Sequence, residues 1–187
     1  MKELNYQIEF FSEWHCGSGL TAGADIDALV IKDSDGVPFI PGKTLKGLIR
    51  EAFEDYVSFS NADNDSDALF GTRPESGALP SKGLLYFTDA ALDPSEHLAI
   101  TANKVQEHMY QKRTQTAIDE NGIAKGHSLR SIETVVPCTL KATIMNVPET
   151  AFDTLVKSLG MIKRMGVNRN RGLGRCLFSI IKKGGNQ

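Results

Sequence analysis

Apolar and polar positions alternate from Leu4 to Ser12, with Tyr6, Ile8 and Phe10 on one side, and that period of two predicts a strand. A second short strand is expected over Asp27 to Lys32, followed by the turn Asp33-Ser34-Asp35-Gly36 and the segment Val37-Pro38-Phe39-Ile40. Beyond Pro41-Gly42 the period lengthens. Leu45, Leu48, Ile49, Ala52 and Phe53 recur at helical spacing from Lys43-Thr44 onward, with Lys43, Lys46 and Arg50 on a shared polar face. Gly83 to Asp89 is the next expected strand. Residues 94–130 give mixed signals, with a short helix near Ala99–Met109 and then a polar loop; Val135 to Val147 reads as one long alternating strand. Pro148 opens a second helix whose apolar face is Phe152, Leu155, Val156, Leu159, Ile162 and Met165. Lys163 and Arg164 fall in its last turn, where cations suit the dipole, and Gly166 can end it. A glycine-arginine loop and a final strand complete the chain.

Reduced to its main elements, this order is β-α-β-β-α-β. It predicts an α+β, ferredoxin-like (RRM-like) core: an antiparallel sheet with two helices on one face. One domain is expected over residues 1–187, with an insertion at about 94–132 that protrudes as an arm.

Cys16, Cys138 and Cys176 are odd in number and far apart, matching neither a disulfide framework nor a zinc-ligand spacing. A reducing cytoplasm is the expected compartment. No apolar run is long enough for a membrane helix. The net charge of -2 hides an asymmetry: residues 1–100 carry -10, residues 101–150 carry +1 and residues 151–187 carry +7. A polyanion would therefore be met by a local basic surface rather than by the whole molecule.

The strongest candidate for such a surface is Asn168-Arg169-Asn170-Arg171-Gly172-Leu173-Gly174-Arg175. Gly172 and Gly174 allow left-handed backbone and close approach, and the guanidinium forks of Arg169, Arg171 and Arg175 suit phosphate. A plain hairpin with solvated arginines is the competing reading. The turn Pro41-Gly42 delivers Lys43, Lys46 and Arg50 at a helix N-terminus, where free N–H groups attract anions, or simply forms a capped cationic helix. Asp25 and Asp27 lie two apart and point to one side of a strand; they could hold a divalent ion, act on a hydroxyl proton, or form a solvated edge. Asp63-Asn64-Asp65-Ser66-Asp67 resembles the start of a calcium loop, but Ala68 stands where that loop's glycine belongs. Gln111 to Arg130 is too long and polar for a mere connector, and Ile118, Ile123 and Leu129 would be apolar tips on a mobile arm. No pair of histidines has metal-ligand spacing.

Taken in order, these pieces resemble the RAMP superfamily, and within it the backbone, target-RNA-cleaving subunit of type III CRISPR effector complexes. The match runs through Trp14-His15-Cys16-Gly17-Ser18-Gly19, Asp27 to Asp33, Pro38-Phe39-Ile40-Pro41-Gly42-Lys43-Thr44-Leu45-Lys46-Gly47, Leu69-Phe70-Gly71 and Tyr86 to Ala90. It continues with Arg113 to Asp119, Leu129-Arg130 with Glu133, and Gly172-Leu173-Gly174. The resemblance implies a thumb-like hairpin and a filament of subunits, copies of this chain or related RAMP proteins, stacked on a CRISPR guide RNA beside other effector subunits. It implies cleavage of complementary target RNA at regular intervals, with Asp27 as catalytic residue and as ligand to a divalent ion, Mg2+ or Mn2+. RNA phosphates would supply the ion's further ligands. His15, Lys43, Lys46, Arg50, Arg113, Arg130, Arg169, Arg171, Gly172, Gly174 and Arg175 would form the RNA-binding surface, and the 113–130 arm would wedge the guide–target duplex. Two alternatives stay open: a structural RNA-binding subunit without cleavage, and a metal-independent guide-processing endoribonuclease using His15 as general base.

Overall fold

The computed structural model describes residues 1–22, 25–60, 65–73, 79, 81–126 and 128–181. Its elements in chain order are β1 (Lys2–Phe10), α1 (Gly42–Ser60), α2 (Ser66–Phe70), β2 (Tyr86–Phe87), α3 (Pro94–Ala102), β3 (Tyr110–Gln115), β4 (Arg130–Val135), β5 (Thr139–Val147), α4 (Glu149–Met161) and β6 (Cys176–Ile180). Single 3-10 turns occupy Gln106–Met109 and Arg169–Arg171.

The main sheet has the order β2-β5-β1-β6, with every adjacent pair antiparallel. With α1 and α4 on one face, this is the ferredoxin-like arrangement. The alternation in β1 drives it. Leu4, Tyr6, Ile8 and Phe10 point into the core, where they meet Leu45, Ile49 and Phe53 of α1 and Leu155 and Leu159 of α4. The opposite face is polar along the two central strands. Asn5, Gln7 and Glu9 stand opposite Thr143, Lys141 and Thr139, and Asn5 accepts a bond from the Thr143 hydroxyl at 2.8 Å. Tyr86 sits at the edge of this open face, paired with Met145.

Several local expectations are revised. Asp27 to Lys32 forms no regular strand; Ala28, Val30 and Lys32 make isolated bridges to Ile132, Gly17 and Pro38. The run Val135 to Val147 is two strands, because Pro137 has no N–H to donate and the chain leaves β4 there to enter β5. The polar stretch after Met109 is a second, two-stranded sheet, β3 against β4, which is the arm. Both faces of β3 are largely solvated, so no alternation marked it as a strand. The arm's tip is built rather than loose: the Asp119 carboxylate accepts the N–H groups of Asn121 and Ile123, each at 2.9 Å, and the Lys125 N–H donates to the Ala117 carbonyl at 2.8 Å.

Helix α4 ends at Met161, earlier than expected, because Ile162 turns extended (ψ 111°). Lys163 and Arg164 therefore lie beyond it, although Lys163 Nζ still reaches back to the Gly160 carbonyl at 2.5 Å. Gly166 does not cap the helix. It turns at φ +87° against the His15 carbonyl, where a Cβ would come within 2.4 Å. Asp65 serves as N-cap of α2, accepting from Asp67 N–H and Ala68 N–H; Asp63 and Asn64 lie outside the described residues. No helix among the described residues is long and apolar enough to cross a membrane.

Candidate nucleic-acid interface

Asp27 lies at the root of the arm. Its N–H donates to the Ser131 carbonyl at 2.8 Å, and its Oδ2 accepts the Ser131 N–H at 2.7 Å. These two hydrogen bonds to one residue of β4 hold an exposed carboxylate in register with the arm. Asp25 pairs with Lys112 of β3 and so ties the same segment to the other arm strand. Arg130 is exposed beside Ser131. Arg113 is engaged by Glu13, which also accepts the Thr134 hydroxyl at 2.7 Å. The Arg113 guanidinium holds the Glu13 carboxyl below the usual carboxylate range, against an opposing effect of burial. Glu13 carried no motif; only the fold reveals that it clamps the arm.

The glycine-arginine loop packs beside this root. Asn168 enters it at φ +57° and Gly172 leaves at φ +93°. Gly174 (φ +68°) sits directly on the Met165 backbone, where a Cβ would lie 1.8 Å from the carbonyl oxygen. Arg169, Arg171 and Arg175 are exposed. Arg171 Nη1 donates to Gln115 Oε1 of β3 at 3.3 Å, which joins loop to arm, and the Arg175 guanidinium stands 5.8 Å from the Phe11 ring. The fold thus gathers Asp27, Arg113, Arg130 and the arginine loop around one feature.

Lys43 and Lys46 lie elsewhere, at the start of α1, where they line a shallow groove with Lys82, Leu85 and Tyr86. The helix terminus itself is less open to phosphate than expected, since the Asp89 carboxylate accepts the Gly42 N–H at 2.7 Å. Arg50 is spent on the fold. Its side chain is 12% exposed, and its donors reach Glu54 at 2.7 Å, the Gly71 carbonyl at 2.7 Å and Asp67 at 2.6 Å. His15, expected to touch guide RNA, is 1% exposed and donates from Nδ1 to the Glu133 carbonyl at 2.6 Å. Burial removes its ring from any surface ligand and from work as a general base.

Among the described residues Asp27 belongs to no group of three or more His, Cys, Asp or Glu side chains with ligand atoms within 4.8 Å of one another, so the donor set there does not fit an ion held by protein alone. The group that could hold one is Asp33, Asp35 and His97, whose ligand atoms lie within 4.8 Å of one another. His97 Nε2 is 2.9 Å from Asp33 Oδ2 and 3.7 Å from Asp35 Oδ2. The spacing of 64 residues between Asp33 and His97 hid this cluster in the sequence.

The family follows from the chain itself: the RAMP superfamily model matches residues 7–177, and the protein belongs to that superfamily. Among solved structures, it is similar to a chain of the Type III-B Cmr-beta complex bound to cognate target RNA, at 12% identity with a TM-score of 0.75 over 96% of this chain and 97% of that one. A chain of the apo Cmr-beta complex matches at 12% identity and TM-score 0.68, covering 97% and 98%. A chain of a Type IV-B CRISPR complex matches at 13% identity and TM-score 0.65, covering 100% and 93%. At such identities the likeness is one of fold. No curated protein sequence matches significantly.

Proposed function

We propose that this protein is a guide-RNA-binding backbone subunit of a type III-like CRISPR effector complex that cuts complementary target RNA at Asp27. The observation that carries the reading is the exposed Asp27 carboxylate, bonded to Ser131 at the root of a basic arm. Guide and target would be held by phosphate contacts from Arg130, Arg169, Arg171 and Arg175, with Lys43 and Lys46 as a second contact region, while base pairing between the two RNAs would carry the sequence. Arg113 supports this surface by holding the arm to Glu13, while Arg50 is spent on Glu54, Asp67 and the Gly71 carbonyl and lies outside it. Gly172 and Gly174 shape the loop. The subunit would assemble with further copies or related RAMP subunits and with other components of the complex.

Asp27 offers a carboxylate able to accept a hydroxyl proton from RNA. An ion at Asp27 would take RNA phosphates as further ligands. That Asp27 lies in no cluster of three or more ligating side chains among the described residues is the observation favouring a second reading, a structural subunit with the same contacts and no cleavage. The guide-processing reading loses its base with His15 buried.

The test is to reconstitute the complex on guide RNA and follow labelled target, with and without chelator. Asp27→Ala should abolish cutting and leave guide and target binding intact, while Asp25→Ala should have a weaker effect. Cutting by Asp27→Ala at the wild-type rate removes the catalytic assignment and leaves the structural reading.

A further inference from the structure

The segment that bears Asp27 is not held by a strand ladder. Between Asp25 and Lys32 only Val30 is a fully buried apolar residue, and the backbone makes single bridges. On one side its backbone is bonded to the 16–20 segment, Leu29 N–H to the Leu20 carbonyl at 3.0 Å and Ile31 N–H to the Cys16 carbonyl at 2.9 Å. On the arm side it is fastened by Ser131 and, at its buried centre, by Glu133 of β4. This residue is only 8% exposed. A buried carboxylate is costly unless its oxygens are bonded. Here Oε2 accepts the Val30 N–H at 3.0 Å and Oε1 accepts the Lys32 ammonium at 2.8 Å. The same ammonium lies 3.8 Å from the centroid of the Tyr110 ring in β3, and the Tyr110 hydroxyl donates to the Gly36 carbonyl at 2.7 Å.

The Glu133 backbone is equally occupied. Its N–H donates to the Ala28 carbonyl at 3.0 Å, and its carbonyl accepts from His15 Nδ1 at 2.6 Å. One residue therefore joins the arm, the 28–32 segment and the His15 turn. Asp27 directly precedes that segment and is itself bonded to Ser131, two positions before Glu133.

We infer that Glu133, with Lys32 and Tyr110, is a positioning residue that locks the Asp27 segment to the root of the arm. It acts through the segment and touches no RNA. The inference rests on the reading of Asp27 as the cutting residue, but its structural half does not. Val30 is the one buried apolar residue of the segment, so on the arm side polar bonds set the register: Asp27 to Ser131, and Val30 to Glu133 three residues on. The Lys32–Glu133 pair sits one-third exposed at most, where water screens it only in part, and the N–H bond from Val30 sets the register.

The experiment has two arms. In the first, amide hydrogen exchange is measured on the full chain for wild type, Glu133→Ala, Glu133→Gln and Lys32→Met. Glu133→Ala should speed exchange at residues 28–32 about tenfold or more, and Glu133→Gln, which keeps an acceptor for Val30, should restore most of the protection. In the second arm, the reconstituted complex is tested for single-turnover target cutting and for target affinity. Glu133→Ala should cut roughly 10- to 100-fold more slowly, the range expected of a misplaced reacting group, with target affinity unchanged. Glu133→Gln should recover most of the rate. If Glu133→Ala fails to fold, Lys32→Met removes one bond of the brace and should give a smaller shift of the same kind. Wild-type exchange at 28–32 in Glu133→Ala, or in Lys32→Met where Glu133→Ala cannot be folded, overturns the brace. Faster exchange with unchanged cutting overturns the positioning role. A wild-type complex that does not cut removes the reading of Asp27 and the positioning role with it, while the exchange measurements still decide whether Glu133 holds the segment.

Discussion

Gly174→Ala tests how the arginine loop is held. Gly174 has φ +68°, and an added Cβ would lie 1.8 Å from the Met165 carbonyl oxygen, where real contacts stay above 3.0 Å. Alanine can be accommodated only if the two backbones part by about 1.2 Å. They are joined by the Met165 N–H bond to the Gly174 carbonyl at 3.0 Å, and Gly174 N–H donates to the Glu13 carbonyl at 2.7 Å. Each such bond is worth about 0.5–1.5 kcal/mol net. The left-handed conformation adds about 1–2 kcal/mol for a residue with a Cβ. The total is about 2–5 kcal/mol, a fall of roughly 5–15 °C in Tm for a chain of this size. Gly172→Ala is the internal control: its φ is +93° but nothing lies within 4 Å of its Cβ, so only the conformational cost remains. Thermal unfolding of both variants, followed by circular dichroism, is sufficient. A Gly174→Ala midpoint within about 2 °C of that of Gly172→Ala would show that the close approach to Met165 does not hold the loop.

Replacing Arg169, Arg171 and Arg175 together should weaken RNA binding equally for all sequences and flatten its salt dependence by about one unit of slope per lost contact; an unchanged slope makes them solvated turn residues. Arg50→Ala should cost about 1–3 kcal/mol of stability in denaturant unfolding, with RNA affinity per folded molecule unchanged, because its donors serve Glu54, Asp67 and the Gly71 carbonyl. Burial alone would raise the Glu54 pKa, but the bonds from Arg50 and Ser66 override it and hold it below its ordinary 4.5. The wild type should therefore have this contribution in full above about pH 4.5 and lose it as pH falls through the lower folded value, and a pH–stability profile of Glu54→Gln should lack that loss. Shortening residues 116–129 to a Gly-Ser turn should leave the domain folded yet scatter the spacing of target cuts, and an unaltered product ladder would remove the arm from setting the register.

The sheet and its two helices were legible because their signals are periodic and local. The alternation of Tyr6, Ile8 and Phe10 and the spacing of Leu45, Ile49 and Phe53 express one buried face each. The arm was not legible as strands because solvent on both faces erases alternation in Tyr110–Gln115. At the site, Asp27 and the arginine loop stood out as residue types in a pattern, whereas their supports did not. Glu13 reaches Arg113 across 100 positions, and Glu133 reaches Val30 across 103. His15 was visible but misplaced, since a polar residue beside glycines reads as surface until the fold shows what lies over it. Arg50 misled in the same way: its cationic face is turned to carboxylates of the same chain.

The open face of the main sheet has a consequence for programmability. Sheets of this topology that read RNA directly splay unpaired bases onto aromatic rings of their central strands, where the base edges are then hydrogen-bonded. Here the central strands present Asn5, Gln7, Glu9, Lys141 and Thr143, and Tyr86 stands only at the rim. A sheet without such a stacking platform leaves the bases of the strand it carries free to pair with another strand. In the proposed role, one unaltered protein could serve every guide in a changing library, and new targets would be acquired by rewriting RNA alone.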